Sequence, residues 1–259
     1  MKLFSSLFVF SFLIFSSFSS WSKNVNQELH QGHLAYKIGD FATAIKELKP
    51  LAEKGNAIAQ YYMARMHKMG QGVPQDYKKA VKWYKLSAEQ GFSIAQHQLG
   101  FRYYKGEGVT QDYKEAVKWY KLAADQGEKP SLFNLGLMYF EGQGVPQDYK
   151  EGVKWLKLAA NKKHVIASRT LGIIFHKGVG VTQDYKEAVK WYELAVKQGD
   201  KISQNNLSQI QLGKPERLKN KNAIDFEREK QFLEDAEREV EELLLQLEEL
   251  NKKIDNLDN

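Results

Sequence analysis

The stretch QDYKEAVKWY at residues 111–120 occurs four times in this chain with almost no change. It returns as QDYKKAVKWY at 75–84, as QDYKEGVKWL at 147–156 and as QDYKEAVKWY at 183–192. The aspartates of successive copies are 36 residues apart in every case. A strict period of this length is typical of repeat proteins, in which each copy folds as one supersecondary unit.

Each copy predicts two helices joined by a glycine turn. Before the turn, apolar and small residues recur at spacing i, i+4, i+5 and i+8, which places them on one face of an α-helix. The turn itself, GQGVPQD in the first copy, offers two glycines suited to positive φ and an aspartate that caps the second helix. In the last three copies a glutamate follows three residues later and predicts a capping box. These glutamates are Glu115, Glu151 and Glu187.

The predicted fold is all-α, a right-handed α-solenoid of stacked αα-hairpin repeats followed by a C-terminal coiled-coil helix. One hairpin cannot bury its own apolar face, whereas stacked hairpins bury one another. The tryptophan of each second helix (Trp83, Trp119, Trp155, Trp191) is interpreted as core. The predicted boundaries are a signal peptide at 1–22, a capping hairpin at 23–54, repeats at 55–90, 91–126, 127–162 and 163–198, a cap helix at 199–214, and a linker with an acidic helix at 215–259.

The N-terminus, MKLFSSLFVFSFLIFSSFSSWS, combines Lys2, a short apolar run and small residues, as a secretory signal peptide does. We therefore expect export, with an uncleaved N-terminal anchor as the alternative. The chain contains no cysteine, which excludes disulfides, thiolate metal sites and thiol nucleophiles. The expected location is the bacterial periplasm or the secreted fraction rather than the eukaryotic endoplasmic reticulum.

The stretch LGFRYYKGEGVTQDYKEAVKWYKLAADQG at 99–127 and its counterparts resemble Sel1-like repeat (SLR) proteins, which are relatives of tetratricopeptide arrays. The resemblance covers residues 39–212. It implies an α-solenoid that serves as an adaptor or assembly scaffold. Some cysteine-rich relatives bind or hydrolyse β-lactams, a role that the absence of cysteine argues against here. The family has no universal catalytic residues, so the resemblance assigns none.

A partner-binding groove is predicted on the first helices, at offsets i, i+4 and i+7 of each copy. Its centre is aromatic and aliphatic and its margins are basic, which suits an extended or helical peptide. The alternative interpretation is that these side chains pack between adjacent first helices as core. The predicted residues are Tyr61, Arg65, His97, Phe101, Tyr104, Phe133, Leu137, Phe140, Arg169, Ile173 and His176.

The second helices carry lysines in stripes, such as Lys114, Lys118 and Lys121 in the second copy. They form either a solvated face, partly neutralised by the capping glutamates, or a surface that attracts an acidic partner or an anionic envelope surface. Nucleic acid is not expected as a partner, because export separates the chain from it and no recognition motif is present.

Residues 225–259 contain thirteen acidic and five basic side chains, a net charge of −8, whereas residues 1–224 carry +14. Apolar residues in this tail alternate steps of three and four, which is a coiled-coil heptad pattern. The pattern predicts either a homodimer or docking of the tail on the solenoid. The residues assigned to dimerisation are Leu233, Val240, Leu243, Leu247, Leu250, Ile254 and Leu257.

No catalytic, cofactor-binding or metal-binding motif was found in the sequence. The glycine turns lack the GK[ST] ending of a phosphate loop, and His30 and His33 form only an HxxH spacing. The sequence therefore predicts an exported, non-enzymatic scaffold that binds a protein or peptide partner and self-associates through its tail. The alternative is a cell-envelope enzyme or accessory protein that recognises glycan or peptidoglycan fragments.

Overall fold

A computed structural model describes residues 27–212, which form eleven helices and no strand. The all-α prediction is thereby confirmed over this range. The helices are α1 (27–37), α2 (Phe41–Glu53), α3 (Ala57–Met69), α4 (Tyr77–Glu89), α5 (Ser93–Lys105), α6 (Tyr113–Asp125), α7 (Lys129–Glu141), α8 (Tyr149–Asn161), α9 (Val165–Lys177), α10 (Tyr185–Val196) and α11 (Lys201–Gln211).

The described residues form two compact units, 27–90 and 91–212. The first unit contains the hairpins α1/α2 and α3/α4. Buried residues of α1, α2 and α3 form one apolar cluster, and Trp83 of α4 packs against it. The second unit contains α5/α6, α7/α8, α9/α10 and the single helix α11. Its three hairpins share one apolar cluster that runs from Tyr104 to Trp191. Within each unit the hairpins therefore stack as the period of the sequence predicts.

Small residues on the first helices allow the two helices of a hairpin to approach closely. An added Cβ at Gly136 would lie 2.9 Å from Leu156 Cγ on α8. At Gly172 an added Cβ would lie 2.5 Å from Tyr192 Cδ1 on α10. These positions of the first helices therefore have room only for glycine or another small residue.

Each second helix begins at the predicted aspartate. Asp148 Oδ1 accepts a hydrogen bond from the Glu151 backbone N–H at 3.0 Å, so the N-cap prediction is correct. The capping box is only half formed, because the Asp148 backbone N–H already donates to the Tyr139 carbonyl at 2.9 Å. Glu151 turns instead to Lys154 Nζ, 3.1 Å away.

In three of the turns the second glycine also approaches the preceding hairpin, at Gly72, Gly144 and Gly180. Gly180 has φ of +66°, and a side chain added there would overlap the Tyr149 ring of the preceding hairpin.

Lys163 replaces the glycine that ends the other second helices, and within the described residues it is the one non-glycine residue with positive φ, at 65°.

Two sequence predictions fall outside the described residues, namely the signal peptide at 1–22 and the coiled-coil residues at 233–257. Between residues 27 and 212 every helix is too short or too polar to cross a bilayer.

Candidate functional site

The residues predicted to line a groove are mostly buried. Phe133 and Leu137 have no exposed surface and Phe140 exposes 2%. The prediction that these three side chains form an open apolar groove is wrong. Only Arg65, Phe101 and Ile173 of the predicted set keep intermediate exposure. The buried members are Tyr61, His97, Tyr104, Phe133, Leu137, Phe140, Arg169 and His176.

The first position of the predicted groove packs against the next hairpin. His97 Nδ1 lies 2.8 Å from Ser131 Oγ on α7, and its ring lies 5.4 Å from that of Tyr120. Phe133 stacks on His164, the N-cap residue of α9, with 4.9 Å between the ring centroids. These side chains join successive first helices, as the alternative core interpretation states.

The third position of the predicted groove packs within its own hairpin. Phe140 meets the Tyr149 ring edge-on at 5.2 Å, and His176 meets the Tyr185 ring at 5.3 Å. Each of these tyrosines is the first residue of its second helix. Gly152 stands where the other copies have alanine, and a Cβ added there would press into the Phe140 ring.

Two arginines are buried with carboxylate partners. Arg169 is 1% exposed and donates from Nη1 to Asp200 Oδ1 at 2.8 Å. Asp200 also caps α11, because its Oδ2 accepts from the Ser203 backbone N–H. Arg102 is 2% exposed, pairs with Glu107, and lies 4.7 Å from the Phe101 ring centroid. The predicted basic margin at Arg169 is therefore a structural ion pair inside the second unit.

Burial also determines the protonation of two histidines. It lowers the pKa of His97 to about 3, and the charge of Arg102 acts in the same direction. The pKa of His164 falls to about 4, mainly through burial and secondarily through Lys129. Both imidazoles are therefore neutral at pH 7, where His164 Nδ1 accepts the Ala167 backbone N–H at 3.1 Å.

The first helices of the second unit keep a row of half-exposed side chains, which we call the inner strip. It keeps Phe101 and Ile173 from the predicted groove, and its other members lie beside the predicted positions. Phe101 is its aromatic member, and Lys105 Nζ lies 5.9 Å from that ring centroid. The inner strip comprises Gln98, Phe101 and Lys105 on α5, Asn134 and Glu141 on α7, and Ile173 and Lys177 on α9.

The second helices carry an exposed surface of lysine and leucine, which we call the outer ladder. Leu122 and Leu158 each expose 42% of their area. Lys118 and Lys154 pair with the glutamates three residues earlier, at 3.2 and 3.1 Å. The outer ladder comprises the exposed residues Leu122, Leu158, Lys118, Lys121, Lys154 and Lys190 together with the half-buried residues Lys157 and Leu194.

A shallow cleft of about 440 Å³ opens in the outer ladder between α8 and α10. Lys157 spans it, with Nζ 3.8 Å from Glu187 Oε1 and 5.9 Å from the Trp191 ring centroid. Trp191 donates from Nε1 to Glu187 at 2.9 Å. The cleft combines an aromatic wall with alternating charges, and it holds no cluster of catalytic groups.

The glutamine before each capping aspartate has a structural role that the sequence reading missed. Gln147 Nε2 donates to the Phe140 carbonyl at 2.7 Å, and Gln111 Nε2 donates to the Tyr104 carbonyl at 2.8 Å. This bond ties the turn to the end of the first helix. The identity of the glutamine in all four copies was the available signal.

Within residues 27–212, no group of three or more His, Asp or Glu side chains lies close enough together to hold a metal ion. Asp and Glu side chains at the second-helix starts serve as caps or pair with lysine. The side chains described above therefore take part in packing, helix capping and ion pairs.

The sequence model of the Sel1 repeat matches the chain at residues 57–92, 93–128, 129–164 and 167–200. Among solved structures, the chain is similar to a protective antigen of uropathogenic Escherichia coli strains that displays an SLR fold. The TM-score is 0.70 and the identity 34%, covering 75% of this chain and 42% of that chain. It is also similar to a Sel1 repeat protein from Oxalobacter formigenes, with a TM-score of 0.65 and 33% identity over 69% of this chain and 73% of that one. No curated protein sequence matches the chain.

Proposed function

Because this chain belongs to the Sel1 repeat family, we propose that it is a non-catalytic scaffold that binds a protein or peptide partner. Sel1 repeat proteins are generally scaffolds for protein–protein interaction. The chain spans 42% of the length of the similar Escherichia coli protein, so the proposal concerns this chain alone. The buried groups of the second unit fit a scaffold, because they are engaged in packing and ion pairs.

The inner strip is the observation that carries the proposal. Phe101 and Ile173 are half-exposed apolar side chains on helices that are otherwise well packed. Lys105 and Lys177 flank them with positive charge. Apolar anchors with a polar rim are typical of peptide-binding surfaces. We therefore propose a partner segment with apolar anchors and acidic neighbours.

Export and self-association complete the proposal. The N-terminal sequence supports export to the periplasm or the medium. The heptad pattern of residues 233–257 supports pairing with a second copy, because an isolated helix of this length is marginally stable in water. A self-associated scaffold would present two inner strips to one assembly.

Affinity capture from an envelope extract with the full chain as bait tests partner binding. The double variant Phe101→Ala/Ile173→Ala should lose the captured protein, because both apolar anchors of the inner strip are removed. Leu122→Ala is the matched control, since it removes an exposed apolar side chain from a second helix instead. Capture that survives the double variant, or that is lost equally in the control, would contradict the proposal.

A further inference from the structure

The outer ladder is a basic and apolar face that no other part of the described chain covers. Leu122 and Leu158 are each 42% exposed and occupy equivalent positions on successive second helices. The side chains of Lys118 and Lys154 are 58% and 64% exposed. One leucine recurs on each of α6, α8 and α10, with two lysines beside it on α6 and on α8. On α10 only Lys190 recurs, because Glu193 takes the place of the second lysine.

The chemistry that fits this face is an acidic helix with a leucine stripe. Residues 225–259 have that composition, with a net charge of −8 against +14 in the rest of the chain. Their heptad pattern predicts an amphipathic helix, which needs an apolar surface to cover its stripe. The tail thus complements the outer ladder in both charge and hydrophobicity.

Both patterns place three leucines at regular intervals. Residues seven apart in an α-helix are separated by about 10.5 Å along its axis. The ladder leucines lie on α6, α8 and α10, and the first helices α7 and α9 pack against the second helices on either side of them. A tail helix that crosses these second helices would present three leucines to the ladder. The tail leucines with this spacing are Leu243, Leu250 and Leu257.

The chain between the two partners is long enough for this contact. Described structure ends at Leu212, and the heptad pattern begins at Leu233. The intervening twenty residues reach at most about 70 Å when fully extended. This tether limits how far the tail can lie from the second unit and raises its local concentration there.

We propose that the acidic tail docks across the outer ladder of its own chain, with Leu243, Leu250 and Leu257 against Leu122, Leu158 and Leu194. Docking uses the same leucine stripe as the self-association proposed above, so each state excludes the other. The outer ladder would thereby regulate dimerisation and leave the inner strip open for a partner. This inference rests on the proposed role of the tail and does not depend on partner binding at the inner strip.

Site-specific photocrosslinking in the full chain tests the docking. The chain has no cysteine, so a benzophenone attached to Leu158→Cys would be its one label. At micromolar concentration the crosslinked peptide should come from residues 233–257, in a product with the mass of one chain. High salt should reduce the yield, because it screens exposed charges. Ile94→Cys, which is 38% exposed on a first helix, provides the matched control and should give no tail adduct.

Three results would overturn the inference. One is a tail adduct with the mass of two chains, which would show pairing in trans. Another is a label that finds no tail peptide, or finds it equally from Ile94→Cys. The last is replacement of the tail adduct by a lipid adduct when anionic phospholipid vesicles are added, which would assign the ladder to a membrane surface. Partner capture by the inner strip is measured separately, so its failure would leave these outcomes unchanged.

Discussion

At the scale of single residues, the first helices of the second unit use more than one face for packing, because one face meets the second helix and another meets the next hairpin. Periodicity assigned the small-residue face correctly, because Gly136 and Gly172 contact the second helices. It could not tell which of the remaining faces meets the next hairpin. His97 and Phe133 answer that question through their contacts with Ser131 and His164, residues of the following hairpin. Those contacts depend on how far one hairpin is turned relative to the next, which a single helical wheel does not contain.

The burial of His97 and the partial burial of His164 lead us to expect that the protein loses stability in mild acid. Burial lowers the folded-state pKa of His97 to about 3 and of His164 to about 4, below the ordinary value of 6.5. Between pH 6.5 and 4 the unfolded chain therefore binds more protons, and stability falls as pH falls. Each histidine contributes at most about 1.4 kcal/mol per pH unit. Urea unfolding at pH 7, 6 and 5 measures this slope.

His164→Asn is the variant that isolates one of the two histidines. Asparagine keeps an acceptor for the N-cap of α9 but does not titrate. Its free energy of unfolding should fall less steeply between pH 7 and 5 than that of the wild type. An unchanged slope would show that His164 is not held neutral in the folded protein.

At the scale of elements, the local geometry of the turn between the two helices was predicted, but its contacts with other helices were not. The glycines, the capping aspartate and the helix starts follow from residue type, because positive φ and side-chain capping are local properties. The glutamine that ties the turn to the first helix was missed, and so was the contact of Gly180 with Tyr149. Both depend on where the chain returns in space. The half-formed capping box has the same origin, since the Tyr139 carbonyl already accepts the Asp148 backbone N–H.

The contact of Gly180 with Tyr149 leads us to expect that two glycine substitutions with similar backbone strain will differ in the stability that they lose. Gly180 and Gly199 both have positive φ, 66° and 89°, but an added Cβ meets Tyr149 only at Gly180. Gly199→Ala should lose about 1 kcal/mol of stability from backbone strain alone. Gly180→Ala should lose a further ~1–3 kcal/mol from overpacking between hairpins. Chemical denaturation measures both, and equal losses would argue against an inter-hairpin contact at Gly180.

At the scale of the whole molecule, the sequence was sufficient to predict the all-α repeat fold but not which side chains lie on its surface. Four copies in register required stacked hairpins, because each unit needs its neighbour to cover its apolar face. The charge of the tail and its heptad pattern could also be identified from the sequence, since both are properties of composition and spacing. The sequence did not predict which aromatic side chains remain exposed. Phe101 and Phe133 occupy adjacent columns of the same sequence pattern, yet one is half-exposed and the other fully buried.

The comparison of Phe133→Ala with Phe101→Ala tests the account most directly, because it separates core from binding surface. Phe133→Ala should lower the free energy of unfolding by about 3–5 kcal/mol, as expected for a fully buried phenylalanine. Phe101→Ala should cost about 2 kcal/mol, because part of the Phe101 side chain stays exposed, and should weaken partner capture. Similar, small losses of stability for both variants, with capture lost in both, would contradict the account and restore an open groove that includes Phe133.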